Sequence, residues 1–116
     1  AVASKTAVLE FLRKAQAEGK VVGALGASTK GNVLLQYCGI TERDISCVGE
    51  VNVEKLGGFT PGTWLPIISE KELLERKPDY LFVLPWHFRQ FFMKLPSPRG
   101  CTLVFPLPDL DVVQPR

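Results

Sequence analysis

The chain has 116 residues, of which 46% are hydrophobic and 22% charged, the balance of a soluble globular protein of one domain. A chain of this length buries roughly two-thirds of its surface and can fold alone. The net charge of +2 comes from 14 Lys and Arg against 12 Asp and Glu, scattered along the chain. That pattern argues against a nucleic-acid partner and against a membrane-binding polybasic run.

Cys38, Cys47 and Cys101 are far apart, odd in number and set in apolar stretches without C-x-x-C spacing. They read as buried thiols of a cytoplasmic protein, with no metal site. No apolar run reaches membrane-spanning length, and Ala1-Val2-Ala3-Ser4 has no signal-peptide pattern. The absence of an initiator Met fits an excised piece of a longer protein.

In chain order, Ser4 to Glu18 predicts an amphipathic helix, with Val8, Leu9, Phe11, Leu12 and Ala15 on one face. Ser4 suits its N-cap and Gly19 its stop. A strand follows over Lys20 to Leu25. Then comes Gly26-Ala27-Ser28-Thr29-Lys30-Gly31-Asn32 and a short helix closed by Gly39. Ile45 to Glu50 predicts a second strand, weakened by Gly49, and Val51 to Gly62 a loop. Trp64 to Ile68 reads as a short extended segment, and Pro66 makes any strand there brief or places it at an edge. Ser69 and Glu72 form a capping-box pattern for a helix to about Lys77, where Pro78 stops it.

Tyr80-Leu81-Phe82-Val83-Leu84 is apolar throughout, as expected of a central parallel strand covered on both faces. Pro85-Trp86 suits the first turn of a helix over His87 to Lys94. Pro96 to Gly100 predicts a turn, Thr102 to Phe105 a last strand, Leu107 to Val113 an added edge segment, and the tail beyond Val113 is loose. Alternating strands and helices predict an open, mostly parallel sheet of about five strands in a three-layer α/β/α sandwich. Ligands of such sheets bind outside the carboxyl ends of the strands. The glycine loop, Glu50 and Pro85-Trp86-His87 all fall there.

The loop lies between a strand and a helix. Gly26 permits a sharp turn, Gly31 a close approach, and Ser28 and Thr29 cap a helix beginning near Lys30. A helix start favours an anion, and Lys30 adds a full charge. Known nucleotide fingerprints are not met. Asn32-Val33 stand where a P-loop needs Lys-[Ser/Thr], so ATP hydrolysis is not expected, and glycines at 23, 26 and 31 miss G-x-G-x-x-G. The alternative is a loop that only turns strand into helix.

Four motifs occur in order: Gly26 to Asn32, Asn52 with Lys55, Pro61-Gly62-Thr63, and Leu84-Pro85-Trp86. From about Phe11 to Phe105 the chain resembles the C-terminal domain of S-adenosylmethionine (SAM)-dependent C-methyltransferases, a family that includes enzymes methylating a carbon of nucleotide-linked deoxysugars. The resemblance implies a single Rossmann-like domain, preceded in the enzyme by a zinc-binding segment and a central SAM-binding domain. It implies that this domain helps hold the methyl acceptor, a nucleotide sugar or other phosphorylated small molecule. SAM and the catalytic acid–base residues then belong to the central domain, so this domain carries no cofactor, no catalytic residue and no activity of its own. Two positions depart from the family pattern: Glu50 stands where Asp is usual, and His87 where Asn is frequent.

The candidate binding residues are therefore Gly26, Ala27, Ser28, Thr29, Lys30, Gly31, Asn32, Glu50, Asn52, Lys55, Trp86 and His87. Each has an alternative. Lys30 is an anion ligand or a solvated lysine. Glu50 accepts a sugar hydroxyl, as acids there do in dinucleotide folds, or caps its loop. Trp86 stacks on a base or sugar, or packs. His87 is a pH-sensitive contact or structural. Asn52 and Lys55 sit in a loop, where function concentrates. Two other functions remain open: a stand-alone Rossmann-type nucleotide or CoA-binding module, and a purely structural assembly domain.

Overall fold

A computed structural model describes residues 2–94 and 100–114. The first helix, α1, spans Val2–Ala17. It starts earlier than expected, so Ser4 lies within its first turn and is not the N-cap. Val8, Leu12 and Ala15, at helical spacing, are buried. Gly19 ends the helix in the left-handed conformation (φ 71°), and Lys20 donates back to the Ala15 carbonyl at 2.9 Å. β1 is Val22–Leu25, buried at every position. Val21 falls outside it and is exposed, its N–H held at 2.7 Å by the Asp79 carboxylate.

The remaining elements are α2 (Thr29–Cys38), β2 (Val48–Glu50), β3 (Ile67–Ser69), α3 (Glu70–Glu75), β4 (Tyr80–Val83), α4 (Arg89–Lys94), β5 (Thr102–Phe105) and β6 (Asp111–Val113). They form one six-stranded sheet in the order β3-β2-β1-β4-β5-β6. All neighbours are parallel except β5 and β6, where Val104 faces Val112 in an antiparallel pair. The sixth strand exceeds the five expected, and it is the short edge segment that the Leu107 to Val113 stretch suggested. The centre of the sheet is the β1–β4 pair, in register from Val22 opposite Tyr80 to Leu25 opposite Val83.

Side chains alternate across β4 and β5. Phe82, Leu84 and Val104 join one apolar cluster with Val8, Leu12, Leu34 and Leu35 of α1 and α2. Leu81, Val83, Leu103 and Phe105 join a second with Leu73 of α3, against which Phe92 and Met93 of α4 pack. Leu73 sits against two glycines: a Cβ on Gly23 or Gly49 would lie 2.6 or 2.7 Å from its methyls. α3 therefore packs as closely as it does because those two strand positions have no side chain.

The β2–β3 connection carries no α-helix. It holds a 3-10 turn over Val53–Lys55. β3 is both short and at the edge, yet its outer side is covered: Ile67 exchanges backbone bonds with Gly57 and Gly58, both at 2.9 Å. Ser69 caps α3, accepting the Glu72 N–H at 3.1 Å, while the Glu72 carboxylate pairs with Arg76 rather than closing the capping box. The helix ends before Lys77, which has φ 53°. The helix expected over His87 to Lys94 is divided. Pro85 has ψ 61°, so the chain enters through a 3-10 turn, Trp86–Phe88, and only then continues as α4. Of the turn expected over Pro96 to Gly100, residues 96–99 lie outside the described ones, as do the last two residues of the tail.

Candidate functional site

The glycine loop leaves the carboxyl end of β1 and enters α2. Gly26 has φ 81°, a left-handed value that a side chain would strain, and a Cβ there would lie 2.9 Å from Pro85 Cδ. Gly31 lies against the segment after β4, where a Cβ would come within 2.6 Å of Leu84 Cβ. Ser28 is the N-cap, its Oγ accepting the Gly31 N–H at 3.0 Å.

The sequence suggested that the loop's N–H groups converge on an external anion. The structure spends most of them internally. Gly26 donates to the Gly49 carbonyl, Ser28 to Gly26, Asn32 to Ser28, each at 2.9 Å, and Ala27 to Glu50 Oε1 at 2.8 Å. Thr29 and Lys30, in the first turn of α2, keep N–H groups without an acceptor among the described residues. Asn32 Oδ1 is buried and has no hydrogen-bond partner there.

Glu50 is 9% exposed. Its second carboxylate oxygen accepts the N–H groups of Val51 and Asn52, at 2.9 and 2.8 Å. Burial pushes this carboxyl up, but the bonds from Asn52, Ala27 and Val51 and the positive charge of Lys55 outweigh it, and the group lies below its ordinary value. Lys55 Nζ donates to the Ala27 carbonyl at 2.8 Å, and Asn52 Oδ1 caps the 3-10 turn through the Glu54 N–H at 3.1 Å. Glu50, Asn52, Lys55 and Ala27 thus form one clamp between the glycine loop and the β2–β3 connection. Of the two readings of Glu50, loop capping is the one realised in this geometry.

Lys30 and Trp86 meet elsewhere. Together with Ser4, Val33, Leu34, Tyr37 and Leu107 they line a groove of about 350 Å³. Val33 and Tyr37 are 63% and 46% exposed, and Lys5 Nζ lies 5.3 Å from the Tyr37 ring centre. The sequence reading missed Val33, Tyr37 and Leu107. The 30-33-34-37 spacing, one face of a helix leaving the loop, was the signal available for the first two. His87 is exposed and outside this groove. It lies in a hollow on the other side of Trp86, with Phe88 (ring centres 4.3 Å apart), Arg89 and Phe91. The candidate residues therefore separate into three places: the Glu50 clamp, the Lys30–Trp86 groove, and the His87 hollow. No group of side chains among the described residues has the composition of a metal centre, and no helix is long and apolar enough to cross a membrane.

Residues 1–108 match the family described as C-methyltransferase C-terminal domain. The chain is also 36% identical over 81 residues to C-methyltransferase NovU of Streptomyces niveus, an alignment that covers 70% of this chain and 19% of that protein. It thus spans about a fifth of the relative's length. Matched over residues 1–108, with the glycine loop, the Glu50 clamp and the Trp86 turn each following the carboxyl end of a strand, the chain belongs to the C-methyltransferase C-terminal domain family.

Proposed function

We propose that this domain holds the methyl acceptor of a SAM-dependent C-methyltransferase, a phosphate-bearing small molecule of the nucleotide-sugar kind. The observation that carries this is the Lys30 edge of the groove. Two unspent N–H groups, from Thr29 and Lys30, start a ten-residue helix beside the Lys30 ammonium and the Trp86 and Tyr37 rings. That combination suits an anion joined to a flat or apolar body. In this reading the anion lies at the outer rim of the loop, not at its centre. The helices flank the sheet as the outer layers of a Rossmann-like three-layer sandwich, a reading supported by the two apolar clusters that share β4 and β5. SAM supplies the methyl group from an upstream domain of the same polypeptide. A cytoplasmic location belongs to the same proposal, supported by the buried thiols of Cys38 and Cys47.

The test is calorimetric titration of the complete enzyme with a nucleotide sugar, wild type against Lys30→Ala. A hydrogen bond to a charged group contributes about 1.5–3 kcal/mol, which is roughly a ten- to hundredfold loss of affinity. Wild-type affinity falls as salt rises, because an exposed ion contact is screened. Stability hardly changes, because Lys30 is exposed. Equal affinities for the two proteins at both low and high salt would reduce the loop to a turn.

A further inference from the structure

The donors around Glu50 resemble an anion site that is already filled. Three backbone N–H groups point at one carboxylate within 2.8–2.9 Å. One comes from the glycine loop and two from the chain after β2. Lys55 closes the same space by reaching the Ala27 carbonyl at 2.8 Å. Without the carboxylate the Ala27 donor would be buried and unsatisfied, while those of Val51 and Asn52, in part-buried bonds, would turn to water.

We propose that Glu50 is the resident anion of the glycine loop. Its carboxylate occupies the cradle that a small external anion would otherwise fill, fixes the loop's shape, and confines an acceptor's phosphate to the rim at Thr29 and Lys30. The last clause rests on the acceptor-binding reading above; the first two stand without it. Glu50 is then a positioning residue. It acts on the ligand through the loop, and its negative charge repels a second anionic group from the loop's centre.

Removing the side chain beyond Cβ makes the idea testable by chemical rescue. In the complete enzyme, Glu50→Ala should lose amide protection in the peptides covering residues 26–28 and 50–52, measured by hydrogen–deuterium exchange, with exchange rising more than tenfold. Sodium acetate should restore the protection in a saturable way, since acetate returns a carboxylate to the cradle. Sodium chloride at the same ionic strength should not. A general loss of packing would respond to neither salt, and failure of acetate to act beyond chloride overturns the proposal. The same samples are titrated with inorganic pyrophosphate. In wild type its binding should depend on Lys30; in Glu50→Ala, where the vacated cradle admits it, at least tenfold of that dependence should be lost, and acetate should restore it. If acetate restores protection but wild type binds no pyrophosphate, the acceptor reading fails and the resident anion stands. Where Glu50→Ala does not fold, Glu50→Gln keeps the volume and turns its NH2 donor either toward the Ala27 N–H or toward those of Val51 and Asn52. Faster exchange at Ala27, or at Val51 and Asn52, supports the proposal, and unchanged exchange at all three refutes it.

Discussion

Gly31→Ala measures how closely α2 rests on the chain after β4. The added Cβ would stand 2.6 Å from Leu84 Cβ and 2.9 Å from Ser28 Oγ. Neither atom can rotate far: a Cβ is fixed by its backbone, and Ser28 Oγ holds the cap bond to the Gly31 N–H at 3.0 Å. The helix and the strand end must separate. Overpacking of this kind costs about 1–3 kcal/mol, and loss of the cap adds about 1 kcal/mol. Alanine returns about 1 kcal/mol through its helix preference. The net expectation is a loss of about 1–3 kcal/mol, or roughly 4–12 °C in Tm for a domain of this size. Urea unfolding followed by far-UV circular dichroism reads this as a lower midpoint at unchanged slope. The control is Gly58→Ala, where the nearest atom is the Lys55 carbonyl oxygen at 3.4 Å. That change should stay within about 0.5 kcal/mol of wild type. A Gly31→Ala protein as stable as wild type would refute the close-packing argument.

Three further outcomes follow from the same geometry. Gly26→Ala should cost about 1–3 kcal/mol, because φ 81° is strained for alanine and Pro85 Cδ is 2.9 Å from the new Cβ; an unshifted thermal melt would contradict it. Gly23→Ala should be strongly destabilising in the native background but far milder together with Leu73→Ala, because the three atoms nearest the new Cβ all belong to Leu73; additive losses in a double-mutant cycle would show that the two do not share space. Glu50 has a depressed folded-state pKa, so its contribution is fully present above the unfolded value and is lost as pH falls through the folded one. Acid titration of stability should thus show a loss beginning near pH 4.5, the ordinary value, and continuing below it. Glu50→Gln should flatten that part of the curve, and an unchanged acid slope would exclude Glu50 as a cause.

Local chemistry was legible in the chain, and long-range chemistry was not. The all-apolar Tyr80 to Leu84 stretch read as a central strand covered on both faces, and β4, Tyr80–Val83, lies beside β1 at the centre. Ser28 and Gly39 announced the limits of α2 because caps and stops are encoded within a few residues. The short antiparallel β6 was visible only as an edge segment, since three residues cannot display a period. The 3-10 entry at Trp86 was hidden because a proline at a helix start does not specify the tightness of the first turn. The role of Glu50 depends on Ala27, 23 residues away, and no spacing rule carries that pairing. Because Glu50 reaches back, the loop that read as an open anion site arrives with its centre filled.

The pairing of β1 with β4 also bears on how the protein is made. Val21 and Asp79 are bonded across 58 residues of chain, and Val22 finds Tyr80 only after α2, β2, β3 and α3 have been synthesised. At ribosomal rates of 5–20 residues per second, that interval lasts roughly 3–12 s. Until it ends the apolar strand Val22–Leu25 has at most β2, once that is made, on one side and nothing on the other. Non-local pairing of this kind slows folding and leaves a bare strand edge open to association with other chains. The middle of the sheet, the best buried part of the finished molecule, is therefore its most vulnerable part on the ribosome.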